Sequence, residues 1–383
     1  MSRTRIVVAG GGPVGLAFAC AARGAQVRVL EASPARAAPA ESFDLRVFAV
    51  SAGTREFLRE IEAWHRIDPK RVAPVRRMEI FGDEGARLSF SSRPAGALAW
   101  IVEAGRLAAA IEAHAASLAN VEISRGASVV DLAAGAGKVH VDLQGGERVG
   151  GDLLVGADGP DSLVRKHLAM PFQEEPYGEA AIVANFATAK PHGAIARQWF
   201  RSDGVLAWLP LPGERISIVW STPLAHADTL AALDPRELER RVRDAGGGAL
   251  GELRLVSPVA RFPLRSVRVP DPVAPGVALV GDAAHAVHPL AGQGVNLGFQ
   301  DARLLAEILA ARTAVERPGD ARVLRRYVRE RREDVTAMHF VTDGLDKLFG
   351  SGERGARAFR NLGLRLADSQ GWAKAALVRR AMR

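Results

Sequence analysis

Cysteine is nearly missing from this chain: Cys20 is the single one among 383 residues. That scarcity excludes a disulfide framework and a cysteine-based zinc centre, and it points to a reducing, cytoplasmic setting. Aromatic residues are sparse too, at 6%. The body of the chain also lacks an excess of either charge. The formal net charge is +8, but residues 351–383 alone hold Arg354, Arg357, Arg360, Arg365, Lys374, Arg379, Arg380 and Arg383 against Glu353 and Asp368. The near-balanced remainder argues against a nucleic-acid-binding surface. No apolar run reaches the roughly 20 residues of a membrane-spanning helix. The start, "MSRTRIVVAGGGPVGLAFACAA", has the outline of a signal peptide, yet its glycine cluster suits an apolar h-region helix poorly.

What is abundant is small and apolar. Hydrophobic residues make up 48% of the chain, with 39 glycines and 21 prolines, the profile of an Ala/Gly-rich α/β enzyme with a large core and two to three domains. "RIVVAGGGPVGLAFACAARGAQVRVLEA" reads as a strand over Ile6–Ala9, a glycine turn, a helix to about Arg23 and a second strand Val27–Leu30. This βαβ unit opens a doubly wound parallel sheet. "DLLVGADG" and "GVALVGDAAH" are further buried strands, and "GRLAAAIEAHAASL" is a helix. Between 180 and 265 the alternating segments "AIVANFATA", "AIARQWF", "GVLAWLPL", "RISIVWST" and "VARFPLRS" predict an inserted antiparallel sheet, joined by edge strands within 75–90. From Val295 onward the chain reads as mostly helical.

Three glycine-bearing turns carry the chemistry. Gly10, Gly12 and Gly15 form G-x-G-x-x-G between strand and helix, with Pro13 and Val14 inside it. The first glycine makes the tight turn, the second admits a pyrophosphate and the third lets helix and strand pack closely. Glu31, sixteen residues past Gly15 at the end of the second strand, is placed for a ribose hydroxyl. "GADGPDSLVR" (156–165) adds Asp158 and Gly159 after another strand. "GDAAHAVHPLAGQGVNLGFQDA" (281–302) adds Gly281 and Asp282. Three such turns at strand C-termini imply one long dinucleotide lying across one sheet.

The third stretch also contains His285 and His288. A metal site is disfavoured, since no cluster of Cys, Asp or Glu accompanies them. Acid–base work by His288 stays open, because histidine titrates near neutrality. Packing beside a ligand is the other reading, with the small residues letting backbone approach a flat ring and the positive end of the helix from Gly294 facing it.

Together these motifs resemble the single-component (class A) flavin-dependent aromatic hydroxylases, over essentially the whole chain. The resemblance implies a Rossmann-like FAD-binding domain with an inserted antiparallel-sheet substrate domain, as in p-hydroxybenzoate hydroxylase, and C-terminal helices. It also implies that Glu31 holds the adenosine ribose of FAD, Asp158 the FAD region and Asp282 the ribityl side. Within that class, "HPLAGQGVNLG", "DLRVFAVS" with Arg46, "EEPYGEAAIVANF" and "LAWLPLP" are similar to the ubiquinone-biosynthesis hydroxylases of the UbiH, UbiI and UbiF type. The implied cofactor contacts then include Arg46, Pro289, Gly292, Gln293, Gly294, Val295 and Asn296, with His288 and Pro289 at the reacting centre. One departure is Ala104, where relatives carry a polar residue touching FAD; Glu103 or Arg106 is the candidate replacement.

The implied reaction uses NADPH or NADH as transient reductant and O2, through a flavin C4a-hydroperoxide that attacks a hydrophobic prenylphenol. Tyr177, His192, Arg197 and Arg265 are the substrate-side candidates. The expected division is 1–74, 98–175 and 266–345 for FAD, 75–97 and 176–265 for substrate, and 346–383 for basic C-terminal helices. Those helices fit either packing on the body, a peripheral contact with the inner face of the membrane, or docking to other ubiquinone-biosynthesis proteins. A hydroxylase of another phenol or aromatic acid, and a non-catalytic FAD-binding scaffold of a quinone-biosynthesis complex, remain as alternatives.

Overall fold

The computed structural model describes residues 4–34, 42–82, 86–92, 96–135, 137–288 and 294–350. Its first sheet has six strands, of which five run parallel: Val277–Leu279, Leu153–Gly156, Arg5–Ala9, Gln26–Glu31 and Val121–Arg125, in that spatial order. The sixth, Val273–Ala274, pairs antiparallel at one edge. Alternation along Arg5–Ala9 sends Ile6 and Val8 to one face and Val7 and Ala9 to the other. Both faces are covered, which is why the strands read as continuous apolar runs.

Helix α1 (Pro13–Ala21) is apolar on every side and therefore lies buried, with Leu16, Ala17, Phe18 and Ala19 at 0% exposure. Cys20 is buried beside them. α2 (Ala52–Glu60) starts at Ser51, whose hydroxyl accepts the Thr54 N–H at 3.2 Å. α3 (Ala104–Ala115) completes this layer, together with two helices from the end of the described chain. The other face is covered by a three-stranded antiparallel meander, Val129–Gly135, Lys138–Leu143 and Arg148–Gly151. α4 (Leu163–His167) follows the second glycine turn.

The inserted unit is a nine-stranded sheet built on the long strand Gln173–Thr188, flanked by Arg215–Pro223 and Ala260–Arg268. One face carries Ile182, Ala184, Phe186, Trp208 and Ile218 beneath α5 (Leu224–Ala231) and α6 (Pro235–Ala245). These two helices go unread in the strand pattern, although Asp234 and Pro235 signal a start and Leu238, Val242 and Ala245 form one apolar stripe. Two expected boundaries, at 176 and 265, fall inside the strands Gln173–Thr188 and Ala260–Arg268, which pair with each other in the inserted sheet on both sides of those positions.

The chain ends its described course with α7 (Gly294–Ala310) and α8 (Ala321–Gly350). Among the described residues no helix is long and apolar enough to cross a membrane. The basic segment 351–383 lies outside the described residues, as do Pro289, Gly292 and Gln293.

Candidate active site

The three glycine turns converge at the C-terminal ends of neighbouring parallel strands. Gly10 has φ +107°, and a Cβ there would stand 2.3 Å from the Ala157 carbonyl oxygen, so only glycine lets the first and second turns touch. A Cβ on Gly15 would meet the Gly10 carbonyl oxygen at 2.2 Å. At Gly12, in contrast, a Cβ would meet nothing within 4 Å. That open space lies directly before α1, whose first N–H groups make an anion site.

Glu31 is half-buried, and both carboxylate oxygens are oriented by backbone: the Gly11 N–H donates to Oε2 at 2.7 Å and the Ser33 N–H to Oε1 at 2.9 Å. Asp158 accepts the Val164 N–H at 3.1 Å through Oδ2, while its buried Oδ1 has no partner. Val14 packs on Gly281 and Gly298, so α1, the third turn and α7 share one contact.

Asp282 opens onto the cleft, yet its protein surroundings raise its carboxyl above the ordinary value; desolvation is the main cause, opposed by the charges of His285 and Arg46. Arg46 is therefore near enough for its charge to act on Asp282. Its own carbonyl accepts the Ala104 N–H at 2.9 Å.

Ala104 turns out to leave no helix end untended. Asp44 accepts the Gly105 N–H at 2.9 Å and so satisfies the start of α3. Glu103 is 1% exposed and holds Arg71 and Arg106. Glu103 and Arg106, the candidates named beside Ala104, are thus paired with each other, while Asp44, sixty-one residues before Gly105, was not distinguishable in sequence as the group serving this end.

Behind the third turn lies a buried charge hub. Asp301, 0% exposed, accepts the Gly281 N–H at 2.9 Å and faces His285 Nε2 at 2.7 Å, while Arg331 Nε of α8 donates to its other oxygen at 2.6 Å. Desolvation would raise the Asp301 carboxyl, but His285 and Arg331 outweigh it and hold it below its ordinary value. Tyr327 of α8 donates to the Leu279 carbonyl at 3.0 Å. His285 is thus a buried partner of an acid, and among the described residues no group of three His, Cys, Asp or Glu could hold a metal.

His288 faces a different partner. Its Nε2 is 3.3 Å from Glu179 Oε2, and Tyr177 meets its ring edge-on with centroids 4.7 Å apart. Tyr177 and Glu179 sit at an irregularity of the strand Gln173–Thr188, where its register with Ala260–Arg268 shifts between Pro176 and Ala180.

The other substrate-side candidates lie elsewhere. Arg197 stands opposite Trp208, on the helix-covered face, paired with Glu79; strand alternation turns Gln198 to the cleft side instead. His192 Nε2 is 2.9 Å from both the Leu211 and Gly213 carbonyls and fastens a turn. Arg265 binds Asp161 and Glu174 at the surface. Asn296 spends its side chain on structure: it accepts the Ser51 N–H at 3.0 Å and donates to the Ala49 carbonyl at 2.9 Å.

Reading the sequence singly missed the reach of Arg165. It is fully buried and donates to the Ala283 carbonyl at 2.8 Å and the Pro160 carbonyl at 2.6 Å, tying the second turn to the third. Its place in "GADGPDSLVR" was the available signal.

The residues present fit FAD: open space at Gly12 before α1, an oriented acid at Glu31, an unmatched acceptor on Asp158 and an exposed acid at Asp282. Fold and site together define the class of FAD-dependent aromatic monooxygenases. The FAD binding domain family matches residues 3–340, and the chain belongs to that family. It is 32% identical to 3-demethoxyubiquinol 3-hydroxylase of Escherichia coli over 99% of this chain and 98% of that one. It is likewise 32% identical to the ubiquinone biosynthesis monooxygenase COQ6 of Drosophila melanogaster, over 98% of this chain and 89% of that one. Among solved structures, HpxO of Klebsiella pneumoniae, in complex with FAD and uric acid, aligns with a TM-score of 0.79 at 19% identity, covering 99% of this chain and 97% of that one.

Two outcomes follow from the cradle. Gly12→Ala is expected to fold normally yet weaken FAD about tenfold or more in a flavin-fluorescence titration, since the methyl enters the gap a phosphate needs; unchanged affinity would mean that no phosphate approaches there. Asp301→Asn removes the buried acid from Arg331 and leaves it the partly exposed Asp334 at 3.2 Å, a loss on the order of 3 kcal/mol. The folded Asp301 value lies below the unfolded one, so its stabilisation is present above the ordinary carboxylate range and is lost as pH falls through the lowered value. Urea titrations from neutral to acid pH should therefore show a shallower acid decline in Asp301→Asn than in the wild type.

Proposed function

We propose that the protein hydroxylates the aromatic ring of a prenylated phenol in ubiquinone biosynthesis, as an FAD-dependent monooxygenase using NAD(P)H and O2. The observation that carries this is an apolar sheet face set over the three turns. Ala181, Val183, Ala207 and Val219 share the face opposite α5 and α6, together with the uncharged polar residues Asn185, Gln198, Ser217 and Ser221, while Arg215 and Arg254 stand only at its far end beside Ala187. No arginine clamp for an aromatic carboxylate stands among these central positions, and apolar surface of this kind favours a prenylated ring. The full-length similarity to named ubiquinone hydroxylases supports the same substrate class.

FAD, when bound, supplies hydride acceptance from NAD(P)H and activation of O2. Gly12 and the start of α1 would hold its pyrophosphate, Glu31 the adenosine ribose, and Asp282 with Gly281 the ribityl chain. The start of α7 at Gly294 and Val295 would lie at the ring's pyrimidine edge, where a positive helix end stabilises developing negative charge. The apolar sheet face excludes water from the reacting centre. His288 Nε2, beside Glu179 Oε2, carries a proton between the buried cleft and a partly exposed carboxylate.

The decisive measurement is NAD(P)H oxidation stimulated by a prenylphenol, with labelled oxygen from O2 entering the ring. No stimulation by any phenol would overturn the reading. His288→Asn is expected to lower hydroxylation about a hundredfold while leaving FAD affinity within twofold.

We also read the enzyme as cytoplasmic with peripheral membrane contact through 351–383, since clustered Arg and Lys attract anionic lipid and the substrate class resides there. Deleting that segment should abolish salt-sensitive pelleting with anionic liposomes; unchanged pelleting would refute it.

A further inference from the structure

The cleft-side face of the nine-stranded sheet ends in a pocket that the reaction above does not use. Arg215 and Arg254 stand on two strands either side of Gln173–Thr188, each directly opposite Ala187. Both therefore project from the same face as Asn185, two residues back along the central strand, and the small Ala187 leaves the space between them empty. The pocket they flank has a volume of 190 Å³ and is lined by Ser42, Phe43, Asn185, Arg215, Arg254 and Val256. No carboxylate lines it.

This pairing is unusual for its surroundings. On the same unit Arg201 meets Asp203, Arg243 meets Glu252, Arg261 meets Asp228 and Arg265 meets Asp161. Among the described residues neither Arg215 nor Arg254 meets an acid; the hydrogen bond recorded for Arg215 is a 3.4 Å contact with the Pro212 carbonyl. Two like charges on strands about 10 Å apart with no acid between them leave a positive field that an anion seated between them would neutralise.

The walls are fixed. Phe43 lies between the guanidiniums of Arg71 at 3.8 Å and Arg215 at 5.5 Å from its ring centroid. Asn185, 1% exposed, donates through Nδ2 to the Asp44 carbonyl at 3.1 Å, and its buried Oδ1 has no partner. The segment through Ser42 and Phe43 runs on within three residues to Arg46, whose charge acts on Asp282 of the third turn.

We propose that this pocket binds the 2′-phosphate of NADPH and so makes the enzyme prefer NADPH to NADH. Arg215 and Arg254 grip the phosphate oxygens from two sides, and Ser42 offers a hydroxyl donor beside them. The inference rests on the reading above only for the use of a pyridine nucleotide. Its test needs no turnover.

FAD-loaded protein is titrated by calorimetry with 2′,5′-ADP and with 5′-AMP, which differ by the phosphate in question. The wild type is expected to bind 2′,5′-ADP about tenfold or more tightly than 5′-AMP, the worth of a charge-assisted contact. That preference should vanish in Arg254→Ala or Arg215→Ala and return in part in Arg254→Lys. Both exposed side chains can be cut back without touching the core, and retained FAD absorbance confirms folding in each variant. No preference in the wild type, or one that survives in both alanine variants, overturns the assignment. A protein inactive on every phenol but showing the preference would sink the hydroxylase reading and leave this pocket standing.

Discussion

The pairing of Asp301 with the Gly281 N–H is the contact on which the cradle depends. A turn that must present an acid to a ligand needs its backbone fixed from behind, and a buried carboxylate can do this only if its own charge is matched. His285 and Arg331 supply that match from two elements distant in sequence. The third turn, α7 and α8 are consequently one electrostatic unit, and losing any partner weakens the compensation of the charges left buried.

The parallel sheet and its first turn were legible in the sequence because local rules decide them. A β-branched run, a glycine triplet and an apolar helix each carry a fixed period, and Glu31 marks the end of the second strand. The same holds for the long strands of the inserted sheet. Helix α6 was overlooked because a highly charged segment hides a stripe of only three buried positions, and α5 because eight residues bury just Ala227 and Leu230. Reading "PRELERRVRDA" by spacing, with its Asp-Pro start, would have revealed α6.

The site was legible to the extent that one motif holds one function. Gly10, Gly12, Glu31, Asp158 and Asp282 stand together as their spacing implied. Arg197 lies opposite Trp208, a position sequence alone does not give, because in a strand the segment says nothing about the face unless the register is known. Arg165, Asp44 and Arg331 act across long gaps in sequence, where a single chain gives no sign of contact. His285 and His288, alike in sequence and three residues apart, serve different partners because the turn sends one inward to α7 and the other to the sheet.

The lone cysteine has a consequence for an enzyme that handles oxygen. Burial pushes the Cys20 thiol up to about 12, so at neutral pH it carries essentially no thiolate, the form that peroxides and electrophiles attack. Any hydrogen peroxide escaping an unproductive cycle would find no reactive sulfur of this kind in the protein's own body. The catalyst is by construction resistant to thiol oxidation by its own side product, and reagents that modify cysteine should leave the native fold unlabelled.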